Sequence, residues 1–208
     1  MDPVYNPPAF RLDDEGAWRI VEDAGAGTLV VATPTGLESA FAPVLVAQDR
    51  RSMSLHVARA NPWLRALTPG AEVLGLFVAA SAYVSPLNYP SRHDNLNVVP
   101  TWNYALAQVR TTATIHDDPQ WLWRQVTTLT GHFEEGHDPA WTPEHLDPGF
   151  RDAQLGAIVG VELSVVSIEG KGKLSQNRPD LDRLVVHEAF EAGSLRERLI
   201  AQRMESPE

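Results

Sequence analysis

An antiparallel β-barrel flanked by helices is the fold class that this 208-residue sequence predicts. Three observations carry it. Five to seven apolar stretches have strand length or strand alternation, and most are joined by short turns rich in Gly, Pro and Asn. The helical patterns between them are too few and too short for a doubly wound parallel sheet. Apolar residues make up 43% of the chain and charged residues 21%, which suits a folded core rather than a disordered segment.

The elements follow in order. Asp13 is positioned to cap a helix over 15–24, with Ala17, Ile20, Val21 and Ala24 on one stripe. Gly27–Thr33 reads as a strand, Pro34-Thr35-Gly36 as a turn, and Glu38–Ala47 as the returning strand of a hairpin. In Ser52–Ala58, Met53, Leu55 and Val57 alternate with Ser54 and His56, the signature of a strand with one buried face. Asn61 caps a short helix whose first position is Pro62. Glu72–Ala79 reads as a buried strand, and Ala82–Ser85 continues it after a bend. Residues 86–99 form a long polar loop of the functional kind. Trp102–Ile115 is a strand, residues 120–135 a helix opened by Asp117-Asp118-Pro119, and Phe150–Gln154 a short helix. Gly156–Ile168 is a further strand, followed by a Gly- and Lys-bearing segment and helices at 180–191 and 194–204. The length suits a single domain over 1–208 with a helical segment at about 178–204.

Composition excludes several classes. The absence of cysteine removes disulfides, thiolate metal sites and cysteine nucleophiles, and favours a cytoplasmic location. Met1 to Phe10 carries no basic or apolar region of a signal peptide, and no run is long enough to span a bilayer, so no membrane role is expected. The net charge of -10 and the absence of a basic recognition helix speak against a phosphate-gripping surface, although a local basic patch for DNA stays open. His132 and His137 are five apart, a poor helical spacing for two ligands, and no metal is expected. No Walker loop, GxGxxG or GxSxG elbow is present.

Three segments are more polar than a plain barrel needs. His56-Val57-Ala58-Arg59-Ala60-Asn61-Pro62 runs from a strand end into a helix start, where backbone N–H groups beside His56 and Arg59 suit a phosphate. The plainer reading is a helix cap with an exposed arginine. Val99-Pro100-Thr101-Trp102-Asn103-Tyr104 sets two aromatics around a hydroxyl and an amide, fit to flank a planar ring or simply to fill a core. Lys171-Gly172-Lys173-Leu174-Ser175-Gln176-Asn177-Arg178 is either an anion site or a solvated loop.

Together with Gly27-Thr28-Leu29-Val30-Val31 and Ala82-Tyr83-Val84-Ser85-Pro86, these segments resemble the PaiB-like family of FMN-binding negative transcriptional regulators. That family sits among the split-barrel flavoproteins related to pyridoxamine-phosphate oxidase. The resemblance implies a mainly β protein with helices: an antiparallel FMN-binding split β-barrel working as a homodimer. It implies FMN as cofactor, with His56, Arg59 and Asn61 toward the phosphate and Thr101, Trp102 and Asn103 toward the ring. Ser85, Tyr104, Lys173 and Gln176, with Ser175 and Asn177 nearby, complete the candidate set. The chain departs from the family at Asn88, where an aromatic is usual, and at Gln108, where a histidine is usual. Three functions follow: an FMN-sensing regulator; a flavin-dependent oxidoreductase on a small molecule, for which Tyr89, His93 and Tyr104 are the candidate proton donors; or a flavin carrier or degenerate member that no longer binds FMN.

Overall fold

The computed structural model describes residues 5–94 and 96–205; the start of the segment read for a signal peptide, and Asn95 in the long loop, lie outside them. In chain order the elements are β1 (Arg11–Leu12), α1 (Asp14–Ala24), β2 (Ala26–Thr33), β3 (Gly36–Pro43), β4 (Leu45–Val46), β5 (Ser52–Ala58) and β6 (Glu72–Val84). Then come β7 (Thr101–His116), α2 (Pro119–Glu134), α3 (Pro148–Gly156), β8 (Ile158–Lys173), α4 (Asp180–Glu191) and α5 (Leu195–Glu205). Hydrogen bonding orders the strands β3-β2-β6-β7-β8-β5-β4, with β1 added on β8. The strand pairs whose register is defined are all antiparallel. The path does not close on itself among the described residues. The fold is the antiparallel split barrel with helices that the sequence predicts.

The chain clusters into two compact units. One comprises Gly25–Leu76 and Val109–Ser167. Its core is set by β5 pairing with β8, in which Met53 faces Leu163, Leu55 faces Val161 and Val57 faces Val159. All six are buried. A fully buried side chain of this size contributes roughly 1.5–3 kcal/mol relative to an exposed one. A one-residue slip would turn the whole set outward, so the alternation itself selects the register. Asn61 caps the 3-10 turn Pro62–Ala66 by accepting from the Trp63 N–H (3.0 Å), and that turn drives Trp63 into the core at 1% exposure. α2 is capped by Asp118, which accepts from the Trp121 N–H at 2.7 Å.

The other unit comprises the described residues up to Ala24, Phe77–Gln108, and those from Ile168 onward. Asp13 caps α1 by accepting from the Gly16 N–H (2.7 Å), and Ala17, Trp18, Ile20 and Val21 are buried. Ala80, Ala82 and Val84 of β6 form one apolar cluster with Val186 and Phe190 of α4 and Ile200, Ala201 and Met204 of α5.

Three boundaries differ from the sequence reading. β6 runs without a break through Ala79–Ala82, where a bend was expected. Its buried positions instead change parity, from Val73, Gly75 and Phe77 to Ala80, Ala82 and Val84. The returning hairpin strand is interrupted at Val44, giving β3 and β4. β8 extends to Lys173, through residues expected to form a loop. Gly170 and Gly172 point inward, where an added Cβ would lie 2.7 Å from Ala17 Cβ and 3.2 Å from Leu12 Cδ2 respectively. The Gly-Lys-Gly-Lys pattern is therefore a strand alternation whose covered face is closed to a side chain at Gly170 and tight at Gly172.

Gly160 of β8 carries the same constraint more sharply. A Cβ there would meet the Trp121 ring at 2.1 Å. Gly160→Ala is expected to push α2 off the strand and cost about 1–3 kcal/mol, read as a lowered midpoint in urea unfolding.

Candidate functional site

The candidate residues fall in both units. His56, Arg59 and Asn61 belong to the first unit described; Ser85, Thr101, Trp102, Asn103, Tyr104, Lys173 and Gln176 belong to the second.

In the first unit, β5 alternation puts Ser52, Ser54 and His56 on the face opposite the core. The His56 Nδ1–H donates to Gln125 Oε1 of α2 at 2.8 Å. Beyond the strand end, Arg59 folds back across the chain before β8. Its Nε donates to Gly156 O (2.9 Å), its Nη2 to Ile158 O (3.0 Å), and its two terminal nitrogens form a bidentate pair with Asp117. The hydrogen bonds from Arg59 hold the Asp117 carboxyl below the usual carboxylate range, and Asp117 in turn raises the guanidinium. Four of the five guanidinium N–H groups are thus engaged, yet the side chain is 46% exposed. The strand-to-turn corner presents an arginine held in one orientation with a carboxylate partner. Asn61 is spent on its cap.

In the second unit, β7 alternates as β5 does. Asn103 is fully buried and Trp102 is 46% exposed. The Asn103 amide lies 3.0 Å from the Ser175 hydroxyl through Nδ2, and that hydroxyl also lies within hydrogen-bond reach of Asn103 Oδ1. Ser175 has φ +66°, a left-handed conformation that costs a non-glycine residue about 1–2 kcal/mol, and its buried bond to Asn103 offsets this. Lys173 Nζ donates to Thr101 Oγ1. Gln176 accepts from the Leu174 N–H (2.7 Å) and donates to Gly172 O, closing the turn after β8. Ser85 caps the 3-10 turn Pro86–Asn88. Trp102 stands 6.2 Å from Tyr83, ring to ring, and both rings are about half exposed. Lys171 lies 5.7 Å over the Tyr104 ring.

Trp102, Tyr83, Thr101, Lys173, His56 and Arg59 therefore keep groups available to a ligand, whereas Asn61, Asn103 and Gln176 hold the backbone in place. The long loop is pinned by Asp182, which accepts from Ser91 N–H (2.9 Å) and Ser91 Oγ (2.6 Å). Tyr89 is fully buried under Arg178, and burial pushes its hydroxyl up, which makes it a packing residue of the folded loop rather than an accessible acid. A cleft of about 490 Å³ in this unit is lined among others by Arg19, Asp23, Gln202, Arg203, Ala105 and Leu174. Gly172 and Leu174 of the third polar segment line it, but none of the candidate residues does.

Sequence reading missed Asp117, Gln125 and Tyr83. Asp117 was visible only as part of a helix start. Gln125 could have been found, because Trp121, Gln125 and Thr128 share a helical stripe that meets the polar face of β5.

The architecture is that of an antiparallel split-barrel protein with helices. Residues 4–167 match the family described as "Putative FMN-binding domain", and the chain belongs to that family. It is similar to "Protease synthase and sporulation protein PAI 2" of Bacillus subtilis (strain 168), 30% identical over 192 residues that cover 90% of this chain and 89% of that protein. Among solved structures, the FAD and heme binding protein from Mycobacterium smegmatis aligns with TM-score 0.55 and 16% identity, over 77% of this chain and 71% of that one. The flavocytochrome Anf3 from Azotobacter vinelandii aligns with TM-score 0.57 and 12% identity, over 77% and 67%. At those identities the likeness is one of fold.

Because Asp117 is held low, its pairing with Arg59 contributes fully above the ordinary carboxylate range and is lost as pH falls through the depressed value. Both groups face solvent, so the effect on stability is small. A carbon-detected carboxyl titration should show Asp117 protonating below the exposed carboxylates, and Arg59→Gln should return it to their range.

Proposed function

We propose that the chain binds FMN and acts in the cytoplasm as a homodimeric flavin-binding regulator. The observation that carries the cofactor is the family match over residues 4–167. The Arg59 corner and the exposed Trp102–Tyr83 pair give that match a physical counterpart. The PaiB-like resemblance supplies the regulatory role. In this reading His56 and Arg59 of the one unit are suited to a phosphate, and Thr101, Lys173 and Trp102 of the other are suited to the edge and face of a flat ring. Bound FMN supplies a redox centre that accepts or donates one or two electrons. Arg59 accommodates a phosphate by exchanging some of its bonds to Asp117, which hold it in one orientation beforehand. Asn103 and Ser175 act as positioning residues for the β7 start and the turn after β8. The homodimer draws support from the edge strand β3, whose Leu37 and Phe41 are 75% and 73% exposed; an apolar edge of this kind is normally covered.

A second reading, a flavin-dependent oxidoreductase, is favoured by the net charge of -10 and by the mixed charges of α4 and α5. The regulator should retain promoter DNA at about 150 mM salt, with a retention that changes when FMN is bound. The oxidoreductase should instead bleach its flavin with NADH or NADPH under anaerobic conditions and show no retention.

Arg59→Ala is expected to weaken FMN binding by roughly 10- to 100-fold, the loss of a charge-assisted phosphate contact, while leaving riboflavin affinity unchanged. Equal losses for both flavins would remove Arg59 from the phosphate end. Measurement is by quenching of flavin fluorescence.

A further inference from the structure

We infer that a second, smaller cleft, under α2, is a binding site for a compact oxyanion, a carboxylate or a phosphate. The cleft is about 260 Å³ and lies within one unit, lined among others by Ser52, Ser54, Trp121, Arg124, Gln125 and Glu162. That is below the 300–1,000 Å³ of pockets that take drug-sized ligands, so the ligand is small. The inference does not depend on FMN.

The central observation is Gln125. Its side chain is 5% exposed, and His56 fixes the amide by donating to Oε1. Gln125 Nε2 is then a buried donor with no hydrogen-bond partner. Buried donors in folded proteins nearly always have an acceptor, because leaving one unpaired forfeits its hydration. An acceptor brought into the cleft completes the set.

The other groups define its charge. Arg124 sits one residue before Gln125 and lines the same cleft. The hydroxyls of Ser52 and Ser54 come from alternate positions of β5, on the same face as His56. The lining thus offers an amide, a guanidinium and two hydroxyls as donors, a set that selects an oxyanion. Glu162, the carboxylate of the cleft, is already engaged by His116 Nε2 at 3.2 Å. Trp121 is stacked on His116 at 4.2 Å and provides a rigid wall.

The test uses the full chain, freed of flavin, titrated separately with sodium phosphate and sodium acetate at constant ionic strength. The Gln125 side-chain NH2 resonances and Trp121 fluorescence are followed. The site predicts a saturable change with an apparent Kd below ~10 mM in at least one arm, and the arm that saturates names the anion. Gln125→Met, which keeps the shape and removes the donor, should weaken that response at least about tenfold. Arg124→Gln, at an exposed position, should do the same, and it serves alone if the Met variant does not fold. Linear, non-saturating changes in both arms overturn the inference, as does saturation that both folded variants leave unchanged.

Discussion

Period-two alternation along β5 and β7 decides which candidate side chains can meet a ligand and which are consumed by the fold. On β5 the register with β8 sends Met53, Leu55 and Val57 into the core and leaves Ser52, Ser54 and His56 on the outer face. On β7 the same rule buries Asn103, Ala105 and Ala107 and turns Trp102 outward. Neighbours in sequence thereby acquire opposite roles: Trp102 offers a ring, while Asn103 one position on secures a strained turn residue, Ser175.

The polar motifs are therefore mixtures. In the His56–Pro62 segment, Asn61 holds the corner and Arg59 is what the corner presents. In the Lys171–Arg178 segment, Lys173 supports Thr101, Gln176 ties the turn, and just before it Gly170 leaves no room for a side chain against Ala17. A flavin-binding barrel needs both kinds of residue, since a rigid frame lowers the ordering cost when a ligand arrives.

Most of the fold was legible because alternation and caps are local signals. Met53, Leu55 and Val57 announced β5, and Asp13, Asn61 and Asp118 behave as the caps their positions suggest. What stayed hidden depends on distant partners. The continuity of β6 through a parity change, and the extension of β8 through Gly170 and Gly172, answer to covering residues elsewhere in the chain. The site was legible as a set of residue types but not as partnerships: Arg59 with Asp117 spans 58 positions, His56 with Gln125 spans 69, and Asn103 with Ser175 spans 72. No local pattern encodes such pairs. The family resemblance identified the cofactor class, and the structure sorted presenting residues from supporting ones.

Isothermal titration of the flavin-free full chain with FMN, read together with the visible spectrum of the product, tests the central claim most directly. The account predicts one FMN per chain, micromolar or tighter, with the bound flavin's absorbance bands shifted and its fluorescence quenched. No heat of binding and an unperturbed free-flavin spectrum at about 100 μM of each component would contradict it.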